Sequence, residues 1–168
     1  RTAAIGSGIL AEYALRCAEQ GMEAGGLAAL LEKKREDVRL FALLDTLEYL
    51  KRGGRISKTV AFAGGLLNIK PLITVEDGEV LVVGKARGAK QGMALLTEKL
   101  LSDGGINLDL PILLGYSGTD ASNLEKYRAD SREIWQGRGD TLPSTLLCSV
   151  IGTHTGPGVV AAACFKND

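Results

Sequence analysis

Three glycine-rich segments carry the side chains of this sequence that are best suited to hold an anion. In the first, residues 51–57 (KRGGRIS), Arg52 and Arg55 flank a pair of glycines. Two guanidinium groups beside a backbone that turns sharply could bind a carboxylate or phosphate bidentately. The same pattern suits an ordinary helix C-terminus, where glycine ends the helix and basic side chains compensate its dipole. Both interpretations stay open on the local sequence.

The second segment, residues 84–90 (GKARGAK), has the glycines and lysines of a phosphate loop but not its defining ending. The Gly-Lys-Ser/Thr sequence of a Walker motif is absent. A predicted strand precedes the segment and a predicted helix follows it, so an anion could still bind at the helix N-terminus. A solvated basic loop is the alternative.

The third segment, residues 151–158 (IGTHTGPG), contains His154, which is the only histidine of the chain. We predict a tight loop between two strands here, with Thr153 beside the imidazole. Lone histidines are usually structural, but loops carry function more often than apolar faces do. Because imidazole both donates and accepts hydrogen bonds, we favour a ligand contact for His154.

The sequence contains no other recognisable catalytic pattern. No serine lies in a Gly-x-Ser-x-Gly elbow. Cys17, Cys148 and Cys164 lie in apolar runs, so we expect all three in the core, and they are too few for a disulfide framework or zinc cluster. Asp120 is expected to cap a helix rather than to line a pocket.

The hydrophobic periodicity predicts alternating helices and strands. An Asp-Gly pair at residues 77–78 predicts a hairpin turn. Ser7 is expected to cap the first helix, and Asp45 with Glu48 has the spacing of a capping box. Pro71 favours a strand start or an edge strand. The predicted helices cover residues 7–21, 22–35, a short stretch after 45, 58–67, 89–101 and 121–135, and the predicted strands cover residues 38–44, 69–75, 80–83, 111–115, 145–151 and 159–165.

These elements predict an α/β or α+β fold in which a mixed β-sheet with an antiparallel hairpin is covered by helices. The composition argues against several other classes of protein. The 20 basic and 20 acidic side chains balance, so a basic nucleic-acid-binding face is not expected. Proline, histidine and glycine interrupt the longest uncharged stretch, residues 141–165, so no membrane span is expected. Few cysteines and no signal peptide favour the cytoplasm.

Taken together, the motif segments resemble the DegV family of bacterial fatty-acid-binding proteins. The resemblance covers most of the chain, from about Gly6 onward, and the segments occur in the family's order at fitting intervals. The matching stretches are residues 45–57 (DTLEYLKRGGRIS), 67–73 (LNIKPLI), 84–88 (GKARG) and 151–158 (IGTHTGPG).

The resemblance implies a two-domain fold of which this chain is the carboxy-terminal part. Residues 37–168 would form the carboxy-terminal α/β domain, and residues 1–36 would be a helical segment that packs on a missing amino-terminal domain. That domain would supply threonine and serine hydroxyls to the ligand. The first residue, Arg1, is not a methionine, which agrees with this expectation.

The resemblance also implies the ligand and its site. A long-chain fatty acid would lie in a tunnel between the domains, with no cofactor, and the protein would present its carboxylate to a fatty acid kinase partner without catalysis of its own. His154, with Thr153 beside it, matches the carboxylate-side histidine, and Arg55 and Arg87 match arginines near the mouth. The candidate tunnel residues, each equally suited to an ordinary core, are Ile56, Phe62, Leu66, Leu67 and Ile69.

Two alternative functions stay open. The protein could be an enzyme that acts on a small anionic or phosphorylated substrate through His154 and the two arginines, in which case it turns over without a partner. It could instead be a structural interaction module whose glycines only serve turns. In that case, changes at His154, Arg55 and Arg87 would leave ligand binding untouched.

Overall fold

The computed structural model describes residues 2–56 and 68–167, which form one six-stranded sheet with helices on both faces. None of the helices in these two ranges is long and apolar enough to cross a bilayer. The helices are α1 (Ile5–Glu19), α2 (Ala24–Lys34), α3 (Glu48–Arg52), α4 (Gly88–Ser102), α5 (Ser122–Asp130) and α6 (Ser149–Thr155). The strands are β1 (Val38–Leu43), β2 (Ile69–Glu76), β3 (Glu79–Arg87), β4 (Leu113–Tyr116), β5 (Ser144–Leu146) and β6 (Val160–Phe165).

The sheet is mixed, as the sequence predicts. Its strands lie in the order β3-β2-β1-β6-β4-β5, and every neighbouring pair is antiparallel except β4 and β5. The predicted hairpin joins β2 to β3. Asp77 and Gly78 both have positive φ angles there, of 49° and 87°, which is the conformation that favours an Asp-Gly pair in a tight hairpin turn.

Helices α4 and α5 close one face of the sheet. The apolar residues of α4 recur at helical spacing, so Met93, Leu96 and Leu100 are buried together against the sheet. Tyr127 of α5 and Trp135 just beyond it complete this cluster and have no exposed surface. Since burial of one large apolar side chain stabilises a fold by about 1.5–3 kcal/mol, this cluster is a major source of stability.

Helix α1 covers part of the other face. Ile5 and Ile9 lie one turn apart and are buried against β1, β4 and β6. Helix α2 packs on α1 and has no buried residue. The first helix therefore shares a core with the sheet, and the packing of residues 1–36 on a further domain stays a prediction.

Two predicted helix caps are wrong. Helix α1 begins at Ile5, before Ser7, and has no side-chain cap, because burial of Ile5 against the sheet stabilises its first turn instead. Helix α3 begins at Glu48, whose N–H donates to the Thr46 hydroxyl at 3.2 Å and not to Asp45. Asp45 does not cap it because its carboxylate pairs with Lys70, with Nζ and Oδ1 2.5 Å apart.

The helix predicted to reach Trp135 ends earlier, at Asp130. The Ser131 hydroxyl donates to the Tyr127 carbonyl at 2.5 Å, and tight turns follow in place of another helical turn. These turns direct Trp135 inward, where its Nε1 donates to the Ser131 hydroxyl at 2.9 Å. The prediction of an inward-facing tryptophan is therefore right although the helix is shorter.

Of the two positions predicted for Pro71, the strand start is right and the edge strand is wrong. Strand β2 has β3 on one side and β1 on the other. Pro71 is its third residue, and the paired register with β1 begins only at Leu72. The missing proline N–H therefore falls near the start of the strand, where the ladder loses least.

The strand directions bring the sequence motifs to one end of the sheet, which we call the loop end. Strands β1, β3, β4 and β5 finish there, and β2 and β6 begin there. The loop end therefore carries α3, α6 and the start of α4. All four motif segments, which are far apart in sequence, have residues at this end.

Candidate functional site

His154 lies on a helix, not in the predicted loop. Helix α6 spans Ser149–Thr155 and replaces both the end of the strand predicted for residues 145–151 and part of the loop after it. Its β-branched residues suggested a strand, but threonine can also bond the preceding helical turn. The Thr153 hydroxyl donates to the Ser149 carbonyl at 2.8 Å, and the Thr155 hydroxyl donates to the Ile151 carbonyl at 3.0 Å.

The imidazole of His154 packs against Gly53, at the end of α3. A side chain of any size at position 53 would collide with the imidazole Nδ1 and Cε1 atoms. Nδ1 is buried, and within the described part of the chain it has no hydrogen-bond partner. The glycine pair of the first motif therefore does more than end a helix, because Gly53 makes room for the histidine of the third motif.

Two further contacts join the same two segments, but here the glycines follow α6 and the side chains come from the segment after β1. The ring of Tyr49 on α3 occupies the space that a side chain at Gly156 would need, and the carboxylate of Asp45 does the same at Gly158. Both glycines have a φ of 79°, a conformation that favours glycine. The segment before β6 thus fits against the segment after β1 through three glycine contacts, which fixes the position of His154.

Arg55 is the second predicted site residue at this junction. Its Nη1 donates to the carbonyl oxygen of Gly53 at 2.9 Å, and its side chain is exposed. The two predicted headgroup residues therefore both contact Gly53, with the imidazole where a side chain at position 53 would lie and the guanidinium bonded to its carbonyl. A guanidinium and an imidazole are both suitable hydrogen-bonding partners for a carboxylate.

An open groove of about 900 Å³ starts beside Arg55. It runs between residues 54–56 and the strand β3, where Val80 and Val82 contribute aliphatic side chains and Glu76 and Glu79 lie at the hairpin end. Ile56 packs against the same buried cluster as these valines. The groove thus has Arg55 at the end nearest to Gly53, valine side chains on β3 and two glutamates at the hairpin end. Its basic end and its aliphatic part suit the headgroup and the tail of an amphiphilic anion.

Arg87 lies farther from His154 than the sequence suggests. The segment of residues 84–90 is not a loop, because β3 continues to Arg87 and α4 begins at Gly88. Arg87 pairs in register with Ile69, and its backbone N–H donates to Gln91 Oε1 at 3.2 Å. Strands β2 and β1 separate β3 from β6, which follows His154, so Arg87 belongs to the loop end but not to the His154–Gly53 contact.

The remaining predicted ligand residues have different outcomes. Thr153 is exposed, and because its hydroxyl hydrogen is donated within α6, this conformation does not offer that hydrogen to a ligand. Ile69 is half-buried at the start of β2. Phe62 and Leu66 lie outside the described residues, as does Leu67.

The cysteine prediction is right for two of the three residues. Cys17 and Cys164 are buried, and burial raises the pKa of the Cys164 thiol to about 12. Cys148 is exposed and precedes the first residue of α6, so its assignment to the core of a strand is wrong. Asp120 bonds the start of α5, as expected: its Oδ1 accepts the N–H of Ser122 at 2.8 Å, which lowers the pKa of the Asp120 carboxyl.

Sequence reasoning missed three kinds of residue in the site and the groove. The sequence assigns Tyr49 and Asp45 to a helix and its cap. The spaced glycines of residues 156–158 are the signal that other side chains pack closely against this turn. The valines of β3 were read only as a strand. Ser117, which is fully buried beside the Gly156–Gly158 turn, gave no sequence signal at all.

Comparisons with known proteins identify the family of this chain. The DegV family model, described as "Uncharacterised protein, DegV family", matches residues 1–167. A DegV domain-containing protein of Clostridium acetobutylicum is 31% identical over 170 aligned positions, which cover 99% of this chain and 58% of that protein.

Solved structures give the same result for the fold. A fatty-acid-binding DegV family protein from Thermus thermophilus is 30% identical with a TM-score of 0.76, covering 96% of this chain and 57% of that one. A fatty acid binding DegV family protein from Streptococcus agalactiae is 27% identical with a TM-score of 0.75, covering 95% and 55%.

The chain therefore spans little more than half the length of these relatives. The family model and these relatives nevertheless cover nearly all of this chain. The chain belongs to the DegV family.

Proposed function

We propose that the protein binds one long-chain fatty acid, with the carboxylate at His154 and Arg55 and the acyl chain along the groove beside Ile56. The relatives from Thermus thermophilus and Streptococcus agalactiae are fatty-acid-binding proteins of the same fold and at least 27% identity, which supports this choice of ligand. The residues at the end of helix α3 would then contact the carboxylate, and the valines of β3 would contact the acyl chain.

The placement of His154 carries the proposal. A proton on Nδ1 would point toward Gly53 and find no acceptor among the described residues. That cost favours the tautomer with the proton on Nε2, which can donate outward to a carboxylate oxygen. Arg55, held to the carbonyl of the same glycine, adds a permanent positive charge.

The acyl chain supplies most of the affinity and the headgroup contacts supply orientation. Each buried methylene contributes about 0.8 kcal/mol, so ten of them contribute about 8 kcal/mol. One hydrogen bond to a charged carboxylate contributes about 1.5–3 kcal/mol. A fatty acid with its carboxylate replaced should therefore still enter the groove, but more weakly and without a fixed direction.

The remaining parts of the proposal concern the whole protein. An amino-terminal domain would close the groove into a tunnel and supply hydroxyl groups to the carboxylate, as the family resemblance implies. The greater length of the relatives supports such a domain. A kinase partner that phosphorylates the presented carboxylate, a location in the cytoplasm and the use of Arg87 at the mouth belong to the same proposal.

Native mass spectrometry of the full-length natural protein, followed by denaturing extraction, tests the ligand. We expect a mass increase equal to one fatty acid, which disappears after extraction. If the extract contains no fatty acid and added palmitate fails to bind at micromolar concentration, the proposed function is wrong. Turnover of a small phosphorylated compound by the protein alone would favour the enzymatic alternative instead.

A further inference from the structure

Ser117 is a buried polar residue at the loop end, with only 2% of its surface exposed. It follows β4 directly and faces the turn between α6 and β6. Its neighbours in sequence gave no reason to connect it to His154, which lies on a different element 37 positions along the chain.

Three hydrogen bonds join Ser117 to the turn that follows His154. Its hydroxyl donates to the Gly156 carbonyl at 2.6 Å and accepts from the Val159 N–H at 3.1 Å. Its own carbonyl accepts from the Gly158 N–H at 3.1 Å. The side chain and backbone of one serine therefore satisfy three polar groups of a four-residue segment.

The same turn holds the end of helix α6. Gly156 is the residue that ends the helix, and its N–H donates to the Gly152 carbonyl at 2.8 Å. Its carbonyl is the group bonded by Ser117. Because Gly156 is bonded to the helix on one side and to Ser117 on the other, the helix end that carries His154 is tied to the end of β4.

We propose that Ser117 is a positioning residue for the ligand-binding histidine: it holds the turn after α6 so that the imidazole of His154 stays seated against Gly53. Ser117 touches no ligand in this account. The proposal rests on the proposed function only for its effect on fatty acid affinity, since the position of the imidazole is measurable without ligand.

The chain contains a matched control on the opposite face of the sheet. Ser131 is also buried, its hydroxyl donates to a backbone carbonyl, that of Tyr127, and it accepts one N–H, from Trp135. Like Ser117→Ala, Ser131→Ala therefore removes one bond donated to a backbone carbonyl and one accepted from an N–H, here that of an indole ring, but away from the turn after α6. General destabilisation should be similar in the two variants.

The test combines NMR of the His154 ring with a fatty acid titration, both on the full-length protein. The ring signals are assigned by their loss in His154→Gln. In Ser117→Ala we expect shifted or broadened His154 signals without ligand and palmitate binding weakened about five- to tenfold, as the loss of one or two buried hydrogen bonds would give. In Ser131→Ala we expect neither change.

The NMR result tests the positioning role of Ser117, and the palmitate titration of the wild type tests the proposed function. Unmoved His154 signals in Ser117→Ala, or equal shifts in both alanine variants, would overturn the positioning role. Shifted signals in Ser117→Ala together with no palmitate binding by the wild type would support positioning and contradict the proposed function. If Ser117→Ala does not fold, Ser117→Cys keeps the shape of the side chain but is a weak donor, and the same shifts are expected from it.

Discussion

On one face of the sheet Leu96, Leu100 and Trp135 have no exposed surface, whereas on the other face Val80 and Val82 stay partly exposed beside an open groove. Both sets of side chains project from or pack on the same strands. Helices α4 and α5 complete the first face. Helix α1 covers only β1, β4 and β6 on the second face, so the described residues leave the β2–β3 hairpin partly uncovered.

The closed face contributes mainly to the stability of the fold, and the partly open face is the one suited to bind a ligand. A fully packed face responds to every lost methylene, because its neighbours cannot refill the space. A partly open face loses little when one of its side chains is shortened, but it offers aliphatic surface to a ligand. At the loop end, Gly53, Gly156 and Gly158 leave room for neighbouring side chains, and these close contacts fix the position of His154.

The largest expected effect comes from the closed face. Leu96→Ala should lower the free energy of unfolding by about 2–5 kcal/mol, because it leaves a cavity among residues with no exposed surface. Val82→Ala in the groove should lower it by less than about 1.5 kcal/mol. Urea denaturation followed by circular dichroism measures both, and equal losses would show that the two faces are packed alike.

The next effect concerns the seat of the histidine. Gly53→Ala places a methyl group where the imidazole now lies, so we expect His154 to be displaced and palmitate affinity to fall at least about tenfold. Gly152→Ala is the control, because Gly152 lies in α6 and, apart from the adjacent helix backbone, no described residue comes within 4 Å of the added methyl group. Isothermal titration should find near-normal palmitate affinity in Gly152→Ala and reduced affinity in Gly53→Ala. Equal affinities in the two variants would contradict the role of the Gly53 contact.

The smallest effect belongs to the end of the sheet opposite the loop end, where Asp37 meets Lys34 and Lys166 at 3.0 and 3.5 Å. Desolvation raises the pKa of the Asp37 carboxyl, but the hydrogen bonds and charges of the two lysines outweigh it and hold the pKa below 3.8. When folding lowers the pKa of a carboxyl, that carboxyl stabilises the fold at pH values above its pKa in the unfolded chain. The stabilisation is lost as the pH falls through its pKa in the folded protein.

The wild type should therefore be slightly more stable than Asp37→Asn near neutral pH, and the gap should close as the pH falls below 3.8. Thermal unfolding across this pH range measures the gap, and palmitate affinity should be the same in both proteins. A gap that widens in acid would reverse the sign of the argument, and a loss of affinity would connect this end of the sheet to the ligand.

Periodicity predicted most of the fold and the motifs predicted part of the site. The long apolar patterns of α4 and β6 and the Asp-Gly hairpin were readable because local sequence and tertiary burial agree there. Helix α6 was misread because its valine, isoleucine and threonines favour strands, while the threonine hydroxyls bond the preceding turn. Ser117 and the seat at Gly53 were not predictable, since both depend on contacts between segments about forty and a hundred residues apart.

The affinity of the full-length protein for palmitate and for its methyl ester, in wild type and His154→Gln, tests the central claim most directly. Both ligands bring the same acyl chain, so only the headgroup contact differs. We predict that the wild type prefers the acid by about tenfold or more and that His154→Gln loses most of this preference while still binding the ester. Equal affinity of the wild type for acid and ester, or an unchanged preference in His154→Gln, would contradict the assignment of His154 to the carboxylate.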